Sequence, residues 1–266
     1  MVTIQNSSKK IILSQDKNEK WMLWEKALKQ NNLPLSETLI QENMEYLHWS
    51  KEEVLSCWGE KGTQKIKEKW INEDPKTQDE INKYYNNLDL YIPELSSWHA
   101  INRNEDIIKI VEFLQLNVRK RAKSYLDYGA GIGSAALFFR YYGFSVTLAD
   151  ISDSMLNYAK WRFKRHKDKA NFIDLKKNKL PLNKFDCAMS MEVLEHVTNP
   201  EEIINNIGQS LKKGGLLFIT TPFYKDKDRP QHLIHDMYIA NKFEKQGLKR
   251  VSNKEDKIYR IFEKVE

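Results

Sequence analysis

The sequence predicts an α/β fold, a mostly parallel sheet with helices on both faces, preceded by a separate helical region. Three observations carry this expectation. From Ile101 onward, short apolar runs alternate with amphipathic stretches; the first apolar run ends in a turn with glycine at 129, 131 and 133; and the second ends in Asp150. Alternation of this kind builds a parallel sheet, because parallel strands need long right-handed crossovers.

Before Ile101 the spacing is helical and the chain offers almost no convincing strand. Trp21, Trp24 and Leu28 share a face at i, i+3 and i+7. Ser50 with Glu53 three residues later signals a helix start, with each side chain accepting from a backbone N–H. Gly59 and Gly62 are expected to end that helix. Further helices are expected over 64–71 and 77–88, separated at Asp74-Pro75, where proline disfavours helical geometry in the preceding residue. Six of the seven tryptophans precede Ile101, so this region is expected either to anchor itself to the main core through its rings or to fold over a cleft. Tyr84, Tyr85, Trp98 and His99 are the residues placed for such a lid.

In the second region an amphipathic helix carrying Ile107, Ile108, Val111 and Leu114 leads into a strand over 124–128, the glycine turn and another helix. Strands follow over 145–150, 171–174, 185–190 and 216–220, with helices over 154–164 and 201–211. The tail, 248–252 and 258–265, reads as an antiparallel pair closing one edge of the sheet. The expected division is a helical region over 1–100, serving as a substrate cap or lid, and a catalytic domain over 101–266.

Composition narrows the classes. Hydrophobic residues make up 41% and charged ones 30% of the 266 residues, and no apolar run approaches the roughly 18 residues of a membrane span. Met1 to Lys10 lacks the pattern of a signal peptide, and Cys57 with Cys187 gives neither a disulfide framework nor a cysteine zinc site. A soluble cytoplasmic protein is expected. The net charge of +6 permits an anionic partner, but lysines are scattered, and the run 160–169 reads as the solvated face of a helix.

The segment Tyr125-Leu-Asp-Tyr-Gly-Ala-Gly-Ile-Gly-Ser134 is an apolar strand running into a turn that admits a ligand close to the backbone. Asp150 lies 21 positions after Gly129, where a carboxylate accepts both hydroxyls of a ribose, and Ile151 and Met155 follow to cover an adenine face. Two cofactors fit such a turn. Dinucleotides prefer GxGxxG with a helix start facing pyrophosphate, whereas this chain has Asp-x-Gly-x-Gly-x-Gly. Asp127 would repel pyrophosphate and suits the cationic amino-acid end of S-adenosylmethionine.

The segments YLDYGAGIGS, VTLADIS with Met155 and Leu156, FDCAMSMEVLEHV and LKKGGLLFITTPF resemble, in order and spacing, the class I S-adenosylmethionine-dependent methyltransferases over about 101–266. The resemblance implies a Rossmann-like seven-stranded sheet. It also implies that Asp127, Gly129 and Gly131 contact the methionine moiety beside Gly133, that Asp150 holds the ribose, and that Ile151 flanks the adenine. Asp174 would sit near the adenine amino group, Leu175 would supply a backbone donor, and Met191 would lie beside the sulfonium.

Methyl transfer chiefly requires the acceptor to be held in line with the S–CH₃ bond. If Met191 to Val197 begins as a helix, Glu192, Glu195 and His196 share a face. That tract resembles the motif of small-molecule O-methyltransferases such as those of ubiquinone biosynthesis, some of which hold a divalent metal there. Structural support, general base and metal ligand are all open readings, and no residue is assigned to a metal. Pro222-Phe-Tyr224 through His232 and His235 would border the same opening, and either histidine is a candidate base.

The expected activity is methyl transfer to oxygen or nitrogen of a small-molecule, natural-product or peptide acceptor. A nucleic-acid methyltransferase is disfavoured, because Ser190-Met-Glu-Val-Leu replaces the Asn/Asp-Pro-Pro-Tyr/Phe element and Cys187 is expected inside a strand. A non-catalytic scaffold of the same fold is the third reading, and the intact glycine turn with Asp150 weighs against it.

Overall fold

The computed structural model describes residues 2–6, 9–86, 88–220, 222–223, 227–235, 243–244, 246–253, 255–256 and 258–265. In chain order the elements begin with β1 (Val2–Asn6), β2 (Lys9–Leu13), α1 (Lys17–Leu28), α2 (Leu35–Leu47) and α3 (Lys51–Leu55). Next come α4 (Glu60–Glu73), α5 (Gln78–Asn86), α6 (Tyr91–His99) and α7 (Glu105–Arg119). The alternating part comprises β3 (Ser124–Tyr128), α8 (Ser134–Tyr141), β4 (Ser145–Asp150), α9 (Asp153–Arg165), β5 (Asn171–Asp174) and β6 (Phe185–Ser190). It closes with α10 (Pro200–Ser210), β7 (Leu211–Thr220), β8 (Leu248–Arg250) and β9 (Tyr259–Lys264).

Seven strands form one sheet in the order β5-β4-β3-β6-β7-β9-β8, parallel throughout except for β9, which runs antiparallel to β7 and β8. The period of two sorts its side chains between two cores. Tyr125, Cys187, Met189, Leu216 and Phe218 face α1, α7, α8 and α9, whereas Leu126, Ala188, Leu217 and Ile219 face α10. The chain order reverses at β3, whose neighbours are β4 and β6, so a crevice opens at the carboxyl ends of these strands.

The first helix forms where Asp16 caps it by accepting from the N–H groups of Asn18 and Glu19, and its apolar face is buried: Trp24 and Leu28 join the same core as α7 and α8. The Ser50–Glu53 capping box is present at α3. Several local expectations need correction. Residues 2–6 and 9–13 pair as an antiparallel hairpin in a region read as helical. Gly59, at φ 63°, starts α4 instead of ending a helix, and Gly62 lies inside α4. A β-carbon on Gly62 would stand 2.2 Å from the Cys57 carbonyl oxygen, so close backbone packing demands glycine there. The strand read from Leu216 begins at Leu211, with an irregular register between Phe185 and Cys187.

Candidate active site

A cavity of about 550 Å³ lies at the carboxyl ends of β3, β4 and β6, roofed by α6. On its inner side the chain turns through Gly129 and Gly131, both at positive φ (69° and 50°). A β-carbon at Gly129 would meet Val193 at 2.3 Å and one at Gly131 would meet Leu95 at 3.2 Å, so glycine keeps this cradle open. Gly133 has a different task. It begins α8 outside the cavity lining, and its β-carbon would meet Leu148 at 2.9 Å, so glycine there serves the packing of helix on sheet.

Asp127 and Asp150 are both buried and both line the cavity. Asp150 accepts from the Gly131 N–H on Oδ2 and from the Ser152 N–H on Oδ1, each at 2.9 Å, which fixes the carboxylate plane and leaves lone pairs on both oxygens. Burial raises its pKa. Asp127 Oδ2 has no hydrogen-bond partner, and burial pushes this carboxyl up to about 7. An orphaned buried acceptor in a cavity fits a cationic ligand group, and Asp150 fits vicinal hydroxyls. Ile151, Met155 and Leu175 give the adjoining wall an apolar face, and Met191 lines the cavity beside them. These residues together fit a sulfonium nucleoside.

Two residues expected on the adenine side have partners within the protein. The Leu175 N–H donates to the Asp150 carbonyl at 3.0 Å, so it is already engaged within the sheet edge. Asp174 is outside the cavity lining and pairs with Lys177 at 3.0 Å and Lys176 at 3.5 Å. Burial acts to raise its pKa, but these lysines hold it below the usual carboxylate range.

After β6 the chain does not begin a helix. Glu192 has φ 51°, and only a 3₁₀ turn, Leu194–His196, follows, so Glu192, Glu195 and His196 do not share a helical face. Glu192 lines the cavity: its N–H donates to Thr220 Oγ1 at 2.8 Å, the Thr220 hydroxyl donates back to Oε1 at 3.0 Å, and Arg229 stands 3.8 Å from Oε2. Glu195 is fully buried with both oxygens lacking hydrogen-bond partners, and burial with the neighbouring Glu192 raises its pKa well above normal. His196 Nδ1 bonds the Tyr85 hydroxyl at 2.8 Å, and burial together with His232 pushes its pKa to about 3. Such a ring is neutral at pH 7 and a weak base, which fits a latch better than a proton acceptor.

His232 is buried edge-on to His196, with ring centroids 4.8 Å apart. Donor atoms of Glu195, His196 and His232 all lie within 4.8 Å of one another, which makes these three, among the described residues, the group able to hold a cation. His235 is half-buried against Phe223 and outside the cavity lining, and burial lowers its pKa. Tyr224 lies outside the described residues.

The roof is built by residues before Ile101. Tyr85, Tyr91, Glu94, Leu95, Trp98 and His99 all line the cavity, while Tyr84 instead donates to the Ile66 carbonyl at 2.9 Å. Ser152 Oγ donates to the Tyr85 carbonyl at 3.0 Å, and the Asp153 N–H donates to Asn86 at 2.7 Å, so the end of α5 rests on the loop after β4. Sequence reasoning missed Tyr91, Glu94, Asp106 and Arg229 in this lining. The spacing of Glu94 and Trp98 at i, i+4 was the one available signal, and the Trp98 indole does donate to Glu94 Oε1 at 2.8 Å.

Residues 98–258 match a family model described as a methyltransferase domain. With this fold and this nucleoside cradle, the chain belongs to the class I S-adenosylmethionine-dependent methyltransferases. Curated relatives include the ubiquinone biosynthesis O-methyltransferases of Coxiella burnetii (strain RSA 493), 29% identical over 113 residues, and of Rickettsia canadensis, 33% identical over 130 residues. The matches cover 42% and 46% of this chain and 48% and 52% of those proteins, so the chain spans about half the length of the curated relatives it matches. Similar solved structures include a protein of Pyrococcus horikoshii OT3 (TM-score 0.49, 15% identity, 62% of this chain and 92% of that one). Another is the magnesium protoporphyrin IX methyltransferase of Synechocystis PCC 6803 (TM-score 0.46, 18% identity, 60% and 81%). Among the described residues no helix is long and apolar enough to cross a membrane.

Proposed function

We propose that this protein transfers the methyl group of S-adenosylmethionine to an oxygen or nitrogen atom of a small-molecule, natural-product or peptide acceptor. The reading is carried by one observation: a single cavity runs from the Asp127–Asp150 cradle to the aromatic and acidic roof of α6. The bound donor supplies an electrophilic methyl on a sulfonium. The chain's own residues bind, orient and exclude water. Asp150 accepts the ribose hydroxyls, Asp127 faces the ammonium, Ile151 and Met155 cover the adenine, and Met191 flanks the sulfonium.

In this reading residues 1–100 form the acceptor cap and 101–266 the catalytic domain. Holding the acceptor in line inside the cavity can supply on the order of 7–11 kcal/mol of the barrier. Glu192, at the junction of the two halves, is the side chain placed to take a proton from a hydroxyl or ammonium acceptor. His232 and His235 act through the loop that carries Arg229. Cys57 and Cys187 are buried free thiols, which suits a reducing cytoplasm.

Replacing Asp150 by alanine is expected to raise the Kd for S-adenosylhomocysteine by about 5- to 150-fold, equivalent to about 1–3 kcal/mol, with the circular dichroism spectrum retained. Titration calorimetry checks it. Unchanged affinity in a folded variant defeats the cradle and the function built on it.

A further inference from the structure

We propose that the acceptor carries a basic amine, which Glu94 and Asp106 hold beneath the rings of Trp98 and Tyr91; this deepens, and rests on, the methyl-transfer reading. Away from the nucleoside cradle, the described lining contains three carboxylates, Glu94, Asp106 and Glu192, and one permanent cation, Arg229. The two histidines that join them, His99 and His196, are held neutral by burial.

Each carboxylate is anchored by one oxygen. Glu94 Oε1 accepts from Thr63 Oγ1 at 3.0 Å and Trp98 Nε1 at 2.8 Å, Asp106 Oδ1 accepts from Tyr259 Oη at 2.7 Å, and Glu192 Oε1 accepts from Thr220. Among the described residues no hydrogen bond reaches Glu94 Oε2 or Asp106 Oδ2, although Glu94 is only 5% exposed. Anchoring of this kind aims the remaining oxygens, and a carboxylate taken out of water requires a cation or several donors.

Arg229 does not meet that need alone. It acts electrostatically on Glu94, Asp106 and Glu192 together, approaches only Glu192 within 4 Å, and lies over the Trp98 ring at 5.4 Å. Among the described lining residues away from the cradle one guanidinium stands against three carboxyl groups, and burial raises the pKa of each, so a ligand cation is what would hold Glu94 and Asp106 ionised. Its position on Trp98 shows that this wall accepts a cation on an aromatic face, as an ammonium does. An anionic acceptor would have to enter beside these acidic groups, with the one guanidinium of the described lining already facing Glu192. A neutral phenol, with a single O–H to donate, would satisfy at most one of the two free oxygens. The ammonium, with three donors, matches the two free oxygens and the ring faces.

The full chain, incubated with methyl-labelled S-adenosylmethionine and the small-molecule fraction of a cell extract, is expected to yield a labelled compound retained by a sulfonate exchanger at pH 7. Mass analysis is expected to find a basic nitrogen in it. With that compound as substrate, Glu94→Gln and Asp106→Asn should each raise KM by roughly tenfold or more, leaving the Kd for S-adenosylhomocysteine unchanged. A labelled product without a basic nitrogen overturns the inference, as does an unchanged KM in both folded variants. If a variant does not fold, the charge of the product still decides. No labelled product at all, from a chain that binds S-adenosylhomocysteine, defeats the methyl-transfer reading itself and is told apart from both other results.

Discussion

Asp127 is the residue whose charge state should be felt most directly in cofactor binding. It is buried, its Oδ2 lacks a partner, and burial, with the charge of Asp150 nearby, places its pKa at about 7 instead of 3.8. A cationic ligand binds the ionised form, so affinity should fall as pH drops through 7. From pH 8 to pH 6 the Kd for S-adenosylhomocysteine should rise roughly tenfold, and Asp127→Asn should bind more weakly at pH 8 with that slope removed. Calorimetry at the two pH values on both proteins checks this; the same slope in the variant assigns the proton to another group. The stability of the unliganded chain should follow the complementary trend. A carboxyl whose folded pKa is raised contributes most below its unfolded value, so Asp127's contribution declines as pH climbs from about 4 through about 7. Asp127, Gly129, Gly131 and Asp150 were legible in the sequence because local spacing alone places them at the ends of adjacent strands. Glu94, Asp106 and Arg229 were not, because two successive helices and a segment far along the chain meet at the cavity only through tertiary packing. The Leu175 N–H pairing is another such case: it donates to the Asp150 carbonyl at the neighbouring strand end, which spacing alone does not show.

At the level of elements, the glycine turn divides into two functions that a motif cannot separate. Gly131 faces the cavity, with Leu95 as the nearest side chain, whereas Gly133 faces the packing of α8 on the sheet, against Leu148 and Ala159. Alanine at 133 would meet both a positive φ of 72° and a contact at 2.9 Å, so Gly133→Ala should cost about 2 kcal/mol or more of stability. The folded fraction should bind S-adenosylhomocysteine within a few-fold of the parent. Gly131→Ala should instead weaken binding, because its β-carbon enters the cradle. Melting temperature and calorimetry on the pair separate the two, and weakened binding by Gly133→Ala at full stability would reverse the assignment. The order of strands and helices after residue 101 was readable because strand runs and helical periods differ so clearly. The loop after β6 was not: Glu192, Glu195 and His196 have helical spacing, but the Thr220 hydroxyl holds the Glu192 backbone at φ 51° and the helix never starts. Spacing is a necessary condition for a shared face and was insufficient here.

Across the whole molecule, the change in sequence texture near Ile101 does not coincide with a change of core. Trp21, Leu23, Trp24 and Leu28 of α1 pack in the same cluster as Val111, Phe113 and Phe138, and the Tyr142 hydroxyl donates to the Leu23 carbonyl at 3.2 Å. Burying four such side chains contributes on the order of 6–12 kcal/mol, comparable with the whole net stability of a domain. A second tie is ionic. Glu42 of α2 is fully buried and accepts from Arg162 Nε at 2.7 Å, while Arg162 Nη1 donates to the Ile132 carbonyl in the glycine turn at 3.1 Å and to Ser134 Oγ at 2.7 Å. The helical region therefore reaches the cofactor turn through the inside of the protein as well as over its mouth. Removing it would expose the face that α1 covers and leave Arg162 without its counter-charge, a loss of about 3–5 kcal/mol from that pair alone. A truncated chain of residues 101–266 should consequently be insoluble or melt without a cooperative transition, although it contains nearly all of the matched family region. Calorimetric scanning of full and truncated chains tests this. A truncated chain that melts cooperatively and binds S-adenosylhomocysteine as tightly as the parent would make residues 1–100 a dispensable cap, with the nucleoside cradle standing on its own.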